Sequence, residues 1–175
     1  MQDKEYVLLT GDITVGASKQ YVDLFNSSAS GQIVYIDKVY IRPTSDVAVS
    51  GVVSARFNLL RTSTVATSGQ SIGYASASET AATIYPLNSR QPALPSGITA
   101  RTLPVGGSTV TARIGTAMAF PEETNAAVTL SQNLDVLKAD RIVLNPNEGI
   151  LIKQGTVATV GSFEIEIHFT IEEAE

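Results

Sequence analysis

The C-terminal stretch carries the clearest pattern in the chain. Phe163, Ile165, Ile167, Phe169 and Ile171 alternate with Glu164, Glu166, His168 and Thr170. A period of two predicts a strand with one buried and one wet face. Val53, Ala55, Phe57 and Leu59 alternate in the same way with Ser54, Arg56 and Asn58. Val110, Ala112, Ile114, Thr116 and Met118 repeat the pattern in a third segment. Ile33-Val34-Tyr35-Ile36 and Val39-Tyr40-Ile41 flank Asp37-Lys38. That run is apolar at every position on either side, which predicts a strand covered on both faces.

Shorter candidate strands are Tyr6–Leu9, Ile13–Val15, Gln20–Phe25, Ser71–Tyr74, Arg141–Leu144 and Gly149–Gln154. Asn26-Ser27-Ser28-Ala29-Ser30-Gly31 reads as a loop. Asn145-Pro146-Asn147-Glu148-Gly149 separates two apolar runs and predicts a short link between two antiparallel strands, with Gly149 able to take a positive φ. Ser131–Ala139 has room for one helical turn. About ten short strands without an amphipathic helix favour a sandwich or a barrel; the expectation is an all-β fold, a single antiparallel β-sandwich spanning 1–175, of the jelly-roll kind.

The stretch 62–108 differs from both ends. It is neutral, polar and broken by Pro86, Pro92, Pro95 and Pro104. Ordering ten residues costs about 10–20 kcal/mol, which takes on the order of 400–800 Å² of apolar burial to offset. Ile72, Tyr74, Ile84, Tyr85, Leu87, Leu94, Ile98 and Leu103 are too few to supply that within one small sandwich. The stretch is therefore expected as a long loop excursion that packs on a neighbour or moves freely.

Composition sharpens the fold class. Val, Ile and Thr make up 49 of 175 residues, and β-branched side chains fit a pleated surface. The chain has no Cys and one His, which excludes disulfide scaffolds and Cys- or multi-His metal sites, including the cupin type. No metal or other cofactor is expected. The net charge is −5 and no segment is rich in Lys or Arg, so neither nucleic acid nor an anionic membrane is an expected partner. The first residues lack a basic and an apolar region, and no apolar run reaches the roughly 20 residues of a bilayer span. The expectation is a soluble chain made in a cytoplasm.

Candidate chemistry is sparse. Gly69-Gln70-Ser71-Ile72-Gly73 matches G-x-S-x-G, but no helix follows and the single His lies on a strand, so a loop is the better reading. His168 shares a polar strand face with Glu164, Glu166 and Thr170. A solvated or cross-strand-paired His is the plain reading, and a pH-sensitive interface contact the sharper one. Glu164 and Glu166 read as a charged face that discourages edge pairing, with cation binding as the alternative. Asn26-Ser27-Ser28 is a glycosylation sequon by pattern alone. No catalytic residue is assigned.

Three pieces together suggest a family. They are 24–36 (Leu24 to Ile36), 94–101 (Leu94 to Arg101) and 142–154 (Ile142 to Gln154), the last running on to Val160–Ile167. Their order resembles small virion proteins of tailed bacteriophages, the jelly-roll decoration or head-stabilising proteins. The resemblance implies a homotrimer that binds the major capsid protein outside an assembled head, bridges capsomers and resides on the virion. The arm Met1–Thr10 would dock on the capsid or a neighbouring subunit by strand addition, or form an ordinary strand of its own sandwich. The expected contact residues are Tyr85, Leu87, Arg90 and Arg101, with Tyr6 and Leu8 in the arm. The rivals are a receptor- or glycan-binding module of a fibre, tail or baseplate, and a hydrolase using Ser71. Trp is absent and the six Tyr are scattered along the chain, which disfavours a sugar platform.

Overall fold

A computed structural model describes residues 4–44, 55–74, 82–88, 90–119, 132–135, 141–157 and 161–174. Its strands are β1 (Lys4–Leu9), β2 (Ile13–Thr14), β3 (Gln20–Asn26), β4 (Gln32–Pro43), β5 (Ala55–Thr62), β6 (Gln70–Ser71), β7 (Gly73–Tyr74), β8 (Thr83–Pro86), β9 (Ile98–Thr102), β10 (Val110–Ala119), β11 (Gln132–Asp135), β12 (Ile142–Leu144), β13 (Glu148–Gln154) and β14 (Ser162–Glu173). One 3-10 turn covers Ser28–Ser30. The first sheet runs β11-β4-β14-β1-β8-β7, with β12 also on β4 and β2 on β14. The second runs β10-β5-β13-β3-β9-β6. Pairing is antiparallel except between β7 and β8. The fold is the all-β sandwich read from the sequence.

The chain crosses repeatedly between sheets. Of the long strands, β1, β4 and β14 lie in the first sheet and β3, β5, β10 and β13 in the second. Partners are therefore remote in sequence: β14 fits between β4 and β1, and β13 between β5 and β3.

Alternation sets the core. Phe163, Ile165, Ile167, Phe169 and Ile171 all point inward, beside Tyr6 and Leu8 of β1. Tyr6 stacks on Phe169 with ring centres 5.5 Å apart, and Phe57 meets Phe163 edge-on at 5.3 Å. Across the core stand Val22, Leu24, Phe57, Leu59, Ile150 and Ile152 of the second sheet.

Several sequence readings are corrected. The β4 run is buried on one face only: Val34, Ile36, Val39 and Ile41 are buried, whereas Tyr35 and Tyr40 are half-buried. A bulge explains the pattern. His168 pairs with Lys38 and Phe169 with Ile36, leaving Asp37 as the extra residue and reversing the parity of the strand. The 145–149 link is no hairpin, because β12 pairs with β4 in the first sheet while β13 pairs with β3 and β5 in the second. The positive φ belongs to Asn147 (67°), not Gly149. Gly149 is instead needed for space: a Cβ there would lie 2.7 Å from the Phe25 ring and 2.8 Å from Thr62 Oγ1.

The 62–108 stretch is largely built into the sandwich. Ile72, Ile84, Ile98 and Ala100 join the core, and β8 and β9 extend one sheet each. Borrowing existing sheet edges lowers the burial that each new residue has to supply. Gln132–Asp135, expected within a helical turn, is a strand on β4. The alternation expected over Val110–Met118 does not appear as alternating burial: Val110–Arg113 is exposed along its whole length on a sheet edge, and two register shifts against β5 break the period of two. Val53, residues 1–3 and 75–81, Ser131 and 136–139 lie outside the described residues.

Candidate interaction surface

Of the six expected contact residues, two are ruled out by burial. Tyr6 and Leu8 have no exposed surface, because they lie on the core-facing side of β1, which is itself paired on both edges, to β14 and β8. The Tyr6 hydroxyl donates to the Pro92 carbonyl at 3.1 Å. The N-terminal arm, as far as it is described, is thus a central strand of its own sandwich. Arg101 lies in the other sheet, on β9, with a buried Nε that finds no hydrogen-bond partner. Tyr85, Leu87 and Arg90 do come together along the chain, in and just after β8. Tyr85 is half-buried, whereas Leu87 and Arg90 are exposed. Arg90 sits in a turn in which its amide donates to Asn88 Oδ1 at 3.0 Å.

These residues border the outer face of the first sheet. Register places Lys38, His168, Val7 and Tyr85 in one row across four strands. Tyr35, Thr170 and Glu5 form the next row, and Tyr40, Glu166 and Leu9 the row on the other side. Successive side chains of a strand alternate between faces, so the residues between the core positions of β1, β4 and β14 must collect here.

Ion pairs and rings knit the face together. Arg42 Nη1 lies 2.8 Å from Glu166 Oε2, and its guanidinium covers the Tyr40 ring at 5.1 Å. Glu166 Oε1 lies 2.5 Å from His168 Nε2, and that imidazole stands edge-on to Tyr40. Asp37, carried outward at the bulge, accepts from Thr170 Oγ1 at 2.6 Å. Its other oxygen is 2.9 Å from Arg141 Nε, close enough for an ion pair but not aligned for a hydrogen bond. Arg141 in turn covers the Tyr35 ring at 5.6 Å. Burial, then Asp12 and Glu166, push the Glu164 carboxyl above its ordinary pKa, against the pull of Arg42.

A cleft of about 360 Å³ opens among Glu5, Asp37, Lys38, Leu87, Arg141 and His168, touching Tyr6 and Phe169. Its mixture of both charges with an exposed Leu and aromatic edges suits a protein surface better than one small charged ligand. Among the described residues no group of three His, Cys, Asp or Glu could hold a metal ion. Ser71 is exposed on edge strand β6 of the second sheet, whereas His168 lies in the first sheet, engaged by Glu166. The structure does not bring them together. Asn26 of the sequon is fully buried and donates through Nδ2 to the Gln32 and Leu144 carbonyls, so it offers no site for a glycan.

Tyr35, Tyr40, Arg42 and Arg141 were not singled out from the sequence. The available signal was the polar pair Asp37-Lys38 inside an apolar run, which marks the bulge. No protein-family model, curated protein or solved structure matches the chain.

Proposed function

We propose that the chain is a virion structural protein, a capsid decoration or head-stabilising protein that binds the major capsid protein outside a tailed-phage head and bridges capsomers as a homotrimer. It acts through shape and adhesion, without catalysis. The observation that carries the reading is the outer face of the first sheet, where tyrosines, arginines and exposed Leu87 form a broad, braced, chemically mixed surface. Tyr and Arg are enriched at protein interfaces, and a face braced by its own ion pairs loses less side-chain entropy on docking. A sandwich whose strands find partners far along the chain supplies a stiff body for bearing load. Three copies on a closed assembly would bind with avidity well above that of one subunit. The acidic balance keeps free copies off DNA.

One observation favours a second reading, a receptor- or glycan-binding module of a fibre, tail or baseplate. Tyr35, Tyr40 and Tyr85, scattered in sequence, are collected in one sheet and reach the same outer face. Arginines already cover the first two rings, which makes them poorer sugar platforms and leaves the decoration reading ahead. Binding to undecorated heads separates the two. Arg90→Glu and Tyr85→Ala should lower occupancy at least tenfold, and unchanged occupancy would sink the proposed surface. Hits on a glycan array without binding to heads would favour the second reading.

A further inference from the structure

We propose that the outer face of the second sheet is a docking surface for an acidic polypeptide segment of a partner protein. Side chains alternate along each strand, so the residues between the core positions Val22, Leu24, Phe57, Leu59, Ile150 and Ile152 face outward here. Arg101, Asp23, Leu151, Leu60 and Arg113 form one row across five strands, from β9 to β10. Gln20, Lys153 and Asn58 form the next row. Arg56 stands two residues beyond Asn58 on β5. It lies beside Gly155, whose amide donates to the Arg56 carbonyl at 2.7 Å and which has no side chain to separate Arg56 from Lys153.

The cations of this face lack counter-charges. Lys4, Arg42 and Arg141 of the first sheet and its border are ion-paired with Glu173, Glu166 and Asp37. Arg56, Arg101, Arg113 and Lys153 make no ion pair among the described residues. The one acid in these rows, Asp23, is fully buried, and one of its oxygens is taken by the Ala66 amide. Arg101 also carries a buried Nε–H that finds no acceptor. An unmade donor of this kind costs stability, and a carboxylate is a strong acceptor for it.

Spacing and the neighbouring amides select the occupant. Arg101 and Arg113 are four strand spacings apart, about 19 Å, so no single small anion touches both. About six residues of extended chain cover that width. Gln20 and Asn58, on either side of Lys153, are half-buried amides whose oxygens find no donor among the described residues. A peptide group donates as well as accepts, so a passing backbone can serve these amides while its carboxylates meet the cations. A phosphodiester backbone only accepts and leaves the two oxygens unpaired. Four separated cations in a chain of net charge −5 also fall short of the dense basic surface that holds nucleic acid or anionic lipid. A second copy is the poorer match, because Glu166, Asp37 and Glu173 of its first sheet are already paired.

This surface lies on the sheet opposite the face assigned to the capsid, and its occupation does not depend on that assignment. The probe is fluorescently labelled oligoglutamate, followed by anisotropy. The unaltered chain should bind it at low ionic strength and release it as salt is added. Arg56→Glu combined with Arg113→Glu, both at exposed positions, should raise the dissociation constant at least tenfold with an unchanged circular dichroism spectrum. The same charge change on the first sheet, Lys38→Glu with Arg90→Glu, should alter it far less. If charge reversal disturbs the fold, Arg56→Gln with Arg113→Gln reads the loss without adding like charge. Equal losses from the two sheets would reduce the effect to net charge and overturn the surface. Failure of the unaltered chain to bind oligoglutamate would overturn it, as would equally tight binding of duplex DNA. A mass above 18.5 kDa that falls to the monomer in Arg56→Glu with Arg113→Glu would make a second copy the occupant and overturn the assignment.

Discussion

Asp23 Oδ2 accepts the backbone N–H of Ala66 at 2.9 Å, and both residues are buried. This bond fastens the 63–69 segment to β3 of the second sheet. The other carboxylate oxygen has no hydrogen-bond partner. Arg101, opposite Asp23 in register on β9, provides attraction without an ion-pair contact among the described residues. Burial outweighs both the Ala66 bond and Arg101 and pushes the Asp23 carboxyl up to about 6, from an ordinary 3.8.

That shift predicts a pH dependence of stability. The folded chain holds the Asp23 proton more tightly than the unfolded chain. The resulting stability is fully present below about pH 4 and is lost as pH rises through about 6. Between pH 5 and 7.5 the Asp23 contribution should fall by on the order of 1 kcal/mol. Urea unfolding at the two pH values should show this loss in the unaltered chain and a smaller one in Asp23→Asn. Equal losses in both proteins would refute the assignment.

Tyr6 and Leu8 belong to the core, so their variants should report on folding. Leu8→Ala should cost about 2–5 kcal/mol of stability and Tyr6→Ala a similar amount, against less than about 0.5 kcal/mol for exposed Leu87→Ala. Denaturant midpoints measure all three. Near-neutral Leu8→Ala would contradict the placement of β1 between β14 and β8.

Gly149 is a second point of tight packing. Gly149→Ala forces a methyl group against Phe25, the Leu24 carbonyl and Thr62. Overpacking of this kind costs about 1–3 kcal/mol. A thermal melt within 1–2 °C of the unaltered chain would show that the second sheet yields more readily than its geometry suggests.

The sequence made some of this legible and hid the rest for identifiable reasons. Strict alternation marked β14 and β5, because one face of each meets the core along its length. Alternation failed at Asp37, where a single bulged residue turned a one-faced strand into an apparently two-faced one. Tyr21 is a similar case: the β3 register skips it between Val22 and Gln20, and it reaches the core beside Val22. The short strands β8 and β9 were hidden because their stability comes from neighbours, β1 and β3, that are remote in sequence. The candidate surface was half legible. Tyr85, Leu87 and Arg90 are close in the chain, but Arg141 meets Tyr35 only through folding.

The arginine braces on that surface should matter for docking more than for folding. Arg42 is half-exposed, and exposed ion pairs contribute about 0–1 kcal/mol. Arg42→Ala should therefore leave the urea midpoint nearly unchanged while weakening attachment to undecorated heads, measured by cosedimentation. A large stability loss with unaltered attachment would assign Arg42 to the fold alone.

The most direct test of the proposal is electron cryo-microscopy of undecorated tailed-phage heads after incubation with the purified protein. The account predicts saturable density on the outer shell, with the face bearing Tyr40, Tyr85 and Leu87 against the capsomers. Bare heads at saturating protein, or density joined to the shell only through the second sheet, would contradict it.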